Sequence, residues 1–178
     1  MLALLFFTLL VLTSTEVEAK FKSLHCAAFD QDFGEFLLCK LKAISRLRNS
    51  ISVQYKLKQP VSKIFIRLEF FKRANGWRPF LYNFTANLCD FLARNNNVIM
   101  GIGYAYLRPY LVKNYSCPFK VIENELLECK DFELDINNLR NRFPIETGEY
   151  ALQLTFIAKN KAALTINGSI EYNNYREY

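Results

Sequence analysis

Apolar and polar residues alternate with a period of two along several stretches of this chain. Ile51, Val53, Tyr55 and Leu57 alternate with Ser52, Gln54, Lys56 and Lys58, and Pro60 closes the run. Successive side chains of a strand point to opposite faces, so the pattern predicts a strand with one buried and one wetted face. Ile64, Ile66, Leu68 and Phe70, set against Phe65, Arg67, Glu69 and Phe71, predict a second, longer strand, and Asn75-Gly76 a turn after it. Residues 79–85 are β-prone, with Phe80, Tyr82 and Phe84 on one side and Asn83 and Thr85 on the other. Three further alternations follow: Phe132, Leu134 and Ile136 against Asp131, Glu133 and Asp135; Tyr150, Leu152, Leu154 and Phe156 against Ala151, Gln153 and Thr155; and Leu164, Ile166, Ile170 and Tyr172 against Thr165, Asn167, Ser169 and Glu171. Asn160-Lys161 predicts a hairpin between the last two.

Strands wetted on one face belong to antiparallel sheets, because parallel strands are usually buried on both. Two such sheets face to face make a β-sandwich, so the expected fold class is mainly β with a short helical insertion around residues 87–113. Within the insertion Asn87 is placed to cap a short helix running through Ala93, with Asp90 near its positive end. Residues 98–112 are apolar nearly all round and predict a second short helix, ended or kinked near Pro109.

The first residues stand apart. Residues 2–12 form an apolar run interrupted only by Thr8, too short for the ~20 residues that span a bilayer. Val17 and Ala19 occupy the −3 and −1 places of a small-residue cleavage site, so residues 1–19 read as a secretory signal peptide and residues 20–178 as one exported domain. Three N-x-S/T sequons, at Asn83, Asn114 and Asn167, suit an exported glycoprotein. Five cysteines, Cys26, Cys39, Cys89, Cys117 and Cys129, leave one over if the rest pair in an oxidising compartment.

Composition narrows the functional classes. With 51% apolar residues, the 178-residue chain can build one sizeable core and is neither disordered nor collagen-like. The single histidine, His25, removes most histidine-based catalysis and metal binding, and neither a G-x-S-x-G elbow nor a CxxC pair is present. Asp131, Glu133 and Asp135 read as a solvated strand face rather than paired catalytic carboxylates. No enzyme and no cofactor is expected. The net charge of +6, which becomes +8 without Glu16 and Glu18, suits acidic partners such as anionic headgroups; nucleic acid does not suit an exported protein. Lys40, Lys42, Arg46 and Arg48 form the densest basic group.

One stretch carries a resemblance. The run Asn75-Gly76-Trp77-Arg78-Pro79-Phe80-Leu81-Tyr82-Asn83-Phe84-Thr85, followed by Cys89-Asp90-Phe91-Leu92, resembles the signature of a large family of small secreted insect proteins that includes the CheB chemosensory proteins. Phe36, Cys39, Leu41 and Lys42, then Cys117-Pro118-Phe119, then Phe143-Pro144-Ile145 with Gly148 and Tyr150, continue the match in order. Trp77 stands where the family usually has Tyr, and Cys129 is an extra cysteine. That family is distantly similar to the ML lipid-recognition domains, which the resemblance therefore implies as the fold: immunoglobulin-like sandwiches that hold lipid between their sheets. Cys26, Cys39, Cys89 and Cys117 are the cysteines the family shares, and the expected bridges are Cys26–Cys39 and Cys89–Cys117. By parity with Asp131 and Glu133, Cys129 is expected to point outward and to be free or bridged to another molecule.

The aromatic content, 16 Phe and 10 Tyr, either fills a solid core or lines a cavity. The resemblance to lipid carriers favours the cavity, with residues 98–112 covering its mouth and Tyr104, Tyr106 and Tyr110 supplying polar tips. Val53, Tyr55, Ile66, Leu68, Phe70, Leu154, Phe156, Leu164 and Ile166 are the expected walls. The sequence thus predicts a secreted, monomeric protein that binds a hydrophobic small molecule or lipid, with a pheromone-related or other chemosensory role implied by the resemblance. The alternative is an extracellular module with a solid core that modulates a membrane receptor or channel.

Overall fold

The computed structural model describes residues 17–120, 126–135 and 146–174. The N-terminal apolar run, Ile136 and the Phe143-Pro144-Ile145 motif lie outside them. The chain forms eight strands: β1 (Val17–Ala28), β2 (Gly34–Ala43), β3 (Asn49–Leu57), β4 (Phe65–Ala74), β5 (Gly76–Asn87), β6 (Leu126–Glu133), β7 (Gly148–Ala158) and β8 (Lys161–Asn174). Between β5 and β6 lie α1 (Leu88–Arg94), α2 (Val98–Leu107) and a 3₁₀ turn over Arg108–Tyr110. All strand pairings are antiparallel, in a five-stranded sheet of order β1-β8-β7-β4-β5 and a three-stranded sheet of order β2-β3-β6. The fold is a mainly β, immunoglobulin-like sandwich.

Local chemistry explains the turns. The chain reverses at Asn75, and Gly76 takes φ 97°, a value that favours glycine. The β7–β8 hairpin turns on Lys159 and Asn160, both at positive φ (50° and 62°), as a two-residue primed turn requires; it lies one residue earlier than expected. Asn87 caps α1, its side-chain oxygen accepting from the backbone N–H groups of Cys89 (3.0 Å) and Asp90 (3.2 Å). Asn97 does the same for α2 through Met100, and the helix passes into the 3₁₀ turn at Pro109.

The helices pack as part of a layer. The three-stranded sheet faces only part of the larger one, and α1 and α2 complete the opposing layer beside it. Phe91 of α1 and Met100 of α2 are buried with Ile66 against Leu68, Phe84, Ala86 and Leu154. The segment after the helices then covers the free edge of β6. Leu111 bridges to Cys129, and the Tyr115 hydroxyl donates to the carbonyls of Leu126 and Glu128 and accepts from the Glu128 N–H (2.6 Å). An uncovered edge would invite pairing with another chain.

Two disulfides tie the layers. Cys26 of β1 joins Cys39 of β2 across the two sheets, with Cα atoms 6.2 Å apart. Cys89 in the first turn of α1 joins Cys117, which anchors both ends of the insertion; bridges of this kind typically stabilise by ~2–4 kcal/mol.

Three expectations from the alternation need correction. Thr155 and Thr165, expected to be wetted, are buried. They stand side by side on the outer face of the two central strands, flanked in register by Arg67 and Ala27, whose sheet neighbours screen small side chains. Tyr82 is exposed and does not share the inner side with Phe80 and Phe84, because Leu81 at φ 56° interrupts the period of β5. Cys129 points inward. Asp131 takes φ 47° where the β3–β6 register shifts, and the extra residue puts Cys129 opposite buried Val53 and Phe132 opposite Ile51, all on the inner face.

Candidate functional site

The register places the inner side chains of the large sheet in four rows. Counting from the β7–β8 hairpin, they are Ile66–Phe156–Leu164–Ala28, then Leu68–Leu154–Ile166–Cys26, then Phe70–Leu152–Gly168–Leu24, then Lys72–Tyr150–Ile170–Phe21. Seven of the nine expected wall residues stand in the first three rows. Val53 and Tyr55 face them from β3.

These rows are packed differently. At the first row the interior is sealed: Leu164, Tyr55 and Phe33 are 3%, 3% and 1% exposed and cluster with Leu57, Val61, Ile64 and Phe119. Gly34 is required there, because a Cβ at that position would meet the Tyr55 ring at 2.6 Å and the Lys56 carbonyl at 2.4 Å. The Tyr55 hydroxyl is enclosed without a hydrogen-bond partner among the described residues, and burial pushes its pKa well above the usual tyrosine range. In the second row Leu68 and Leu154 lean on the helical cluster and Ile166 on the sealed one, yet all three keep partial exposure.

The third row belongs to neither cluster. Phe70, Leu152, Gly168 and Leu24 all face inward, and all remain partly exposed. At Gly168 a Cβ would meet, among the described residues, only the Ser23 carbonyl within 4 Å, at an ordinary contact distance of 3.7 Å, so a small side chain has room there. On the facing sheet, Ile51 and Cys129 are likewise inward and half-buried. Burial pushes the Cys129 thiol up to about 11. The fourth row closes again with aromatics. Phe21 meets Phe132 edge to face at 5.5 Å, and Tyr106 and Tyr110 also meet that ring edge to face, at 5.6 and 5.0 Å. The Tyr106 hydroxyl donates to the Asp135 carbonyl and accepts from its N–H. A partly open, apolar band thus lies between two closed ones.

A separate cleft of about 220 Å³ opens at the sealed end, lined by residues that include Phe33, Pro60, Val61, Phe65 and Ala158. None of the nine expected wall residues borders it, and its volume falls below the ~300 Å³ at which small-molecule pockets begin. Among the described residues no three His, Cys, Asp or Glu side chains converge as metal ligands would, and no helix is long and apolar enough to cross a membrane. Of the sequons, Asn83 and Asn114 are exposed; Asn167 is half-buried, its side-chain oxygen enclosed. Leu24, Leu152 and Gly168 share the third inward row but were not among the expected wall residues. Gly168 gave no signal because it interrupts an apolar row.

Comparison with known proteins adds the following. A family model described as "Protein of unknown function (DUF1091)" matches residues 66–152, a span that runs from β4 into β7 and holds the Asn75-to-Leu92 run. Chicken MD-1, solved in complex with lipid IVa, is similar at 12% identity and a TM-score of 0.39, over 90% of this chain and 99% of that one. A Niemann-Pick type C2 protein from the Japanese carpenter ant is similar at 11% identity and a TM-score of 0.35, over 88% of this chain and 93% of that one. None of the curated proteins matches this chain.

Proposed function

We propose that the protein binds an apolar small molecule or lipid between its two sheets and performs no chemistry on it. One observation carries this reading: the inward row Phe70–Leu152–Gly168–Leu24 is apolar, partly exposed and outside both packed clusters. Apolar surface held away from bulk water but not packed is what an apolar ligand can cover favourably, at ~25 cal/mol per Å². The protein acts outside the cell: residues 1–19 are removed, Asn83 and Asn114 carry glycans, and the two disulfides suit an oxidising compartment. Cleavage before Lys20 keeps β1 in register with β8 from Lys20↔Glu171 onward. The resemblance to insect chemosensory proteins points to a pheromone-like or other signalling ligand, bound by a monomer.

The paired test is Phe70→Ala. A solid interior loses ~3–5 kcal/mol on such a change. An interior with a gap at Phe70 loses ~1–2 kcal/mol in the empty protein, and binding of a fatty-acid or hydrocarbon probe weakens instead. Full-size destabilisation together with no binding by the wild type across a broad lipid panel would overturn the reading. It would favour an interaction module that modulates a receptor or channel, for which exposed Leu81 and Tyr82 on the edge strand β5 (53% and 38%) are the supporting observation.

A further inference from the structure

Two turns project from the same end of the sandwich, the one beyond the fourth inner row. The β2–β3 turn is held there by Asn49, whose side chain accepts from the Phe21 N–H (2.9 Å) and donates to its carbonyl (2.8 Å). Ser45 braces it from within by accepting from the Arg48 N–H. The β4–β5 turn lies two residues beyond Lys72 of that same row. Each turn exposes one large apolar side chain, Ile44 (46%) and Trp77 (41%), and each sets arginines beside it. Arg46 flanks Ile44; Arg78 follows Trp77, and the Arg73 guanidinium lies over the indole at 5.2 Å.

The charge balance of this end is selective. Glu171, Glu133 and Glu146 are each held in ion pairs with Lys22 (3.1 Å), Arg48 (2.6 Å) and Lys72 (2.7 Å). Among the described residues, no carboxylate lies within ion-pair distance of Arg46, Arg73 or Arg78. Exposed apolar side chains beside arginines that no described carboxylate pairs match the layering of a bilayer surface, where indoles sit at headgroup depth and guanidinium groups meet phosphates. The two turns belong to different sheets, β2–β3 to the smaller and β4–β5 to the larger, and a surface of lipid phosphates complements the charge of both.

We propose that this end of the sandwich docks on an anionic lipid bilayer, with Ile44 and Trp77 entering the headgroup region and Arg46, Arg73 and Arg78 contacting lipid phosphates. Docking goes beyond the interior-ligand reading and does not need the interior to be hollow. Trp77 is the only tryptophan of the chain, so its fluorescence reports this one site. The experiment mixes the secreted protein with phosphatidylcholine vesicles, with and without about a third phosphatidylserine, and follows Trp77 emission, quenching by brominated acyl chains, and co-sedimentation. The expected result is a blue shift, quenching and sedimentation with the anionic vesicles only, reversed in ~1 M salt, where screening shortens to ~3 Å. Replacing Arg46, Arg73 and Arg78 together by Gln should lower partitioning about a hundredfold, since each such cation contributes about fivefold at an anionic surface. No binding to anionic vesicles, or sedimentation without any change in Trp77 emission, would overturn the proposal. Neither result bears on the interior, which is read by lipid retained in the purified protein.

Discussion

Two rows of one sheet, four residues apart along each strand, behave as different materials. Ile66–Phe156–Leu164–Ala28 is part of a closed core in which Leu164 is 3% exposed and Phe33 and Tyr55 press on it from across the sandwich. Phe70–Leu152–Gly168–Leu24 has the same inward orientation and a comparable apolar character, yet is packed by neither cluster. Inward-facing apolar residues therefore do not by themselves make a packed core. Protein interiors normally reach crystal-like density, and a row that does not is either an energetic cost or a site. One local contribution is Gly168, which brings no side chain to the row and leaves room for a Cβ.

The contrast can be broken first in the sealed half. Leu164→Ala should cost ~3–5 kcal/mol in denaturant unfolding, because its neighbours are fixed on every side and cannot collapse into the space. If that change costs no more than Phe70→Ala, the two rows are equally packed and the contrast is unfounded.

A second handle is Cys129, inward but unpaired. Its folded pKa, about 11, lies above the ordinary thiol value of ~8.5, so the fold favours the neutral thiol. That contribution is complete below the ordinary value and is lost as pH rises through about 11. Allowing for its partial exposure, wild type should lose on the order of 1 kcal/mol relative to Cys129→Ala between those limits. Taking the difference removes the tyrosines Tyr55, Tyr106 and Tyr115, which burial also raises. An outward cysteine would give parallel pH profiles for the two proteins.

The smallest expected stability change is the most specific. Gly168→Leu should leave stability unchanged or raise it by up to ~1 kcal/mol, since a side chain has room there and suits a strand better than glycine. It should also abolish binding of an apolar probe. Destabilisation by several kcal/mol would mean that the space above Gly168 is already occupied.

The rows themselves were legible in the sequence: β3, β4, β7 and β8 follow the period-two pattern, and the caps and turns follow Asn87 and Asn75-Gly76. β1 and β2 were not, beyond the cysteines they share. β1 carries Ser23 and His25 outward, but a bulge between Phe21 and Ser23 breaks its alternation, and β2 is an edge strand with another bulge between Phe36 and Leu38. The orientation of Cys129 was misread for a similar reason, since parity counting fails across the bulge at Asp131. The helical insertion was placed correctly along the chain, and Phe91 and Met100 show that it also completes a layer on the large sheet. Whether an apolar segment covers a mouth or completes a layer depends on how far the second sheet extends, which is a matter of strand pairing rather than of composition. The looser third row was least legible of all, because two of its four members, Gly168 and Leu24, lie outside the apolar alternation.

The central claim is that the unpacked row holds a ligand. Native mass spectrometry of the protein secreted from eukaryotic cells tests it most directly. The account predicts a species heavier than the bare glycoprotein by the mass of one apolar molecule, released on mild activation and missing from Gly168→Leu. Only the bare mass for the wild type, before and after incubation with a panel of fatty acids, sterols and hydrocarbons, would contradict it.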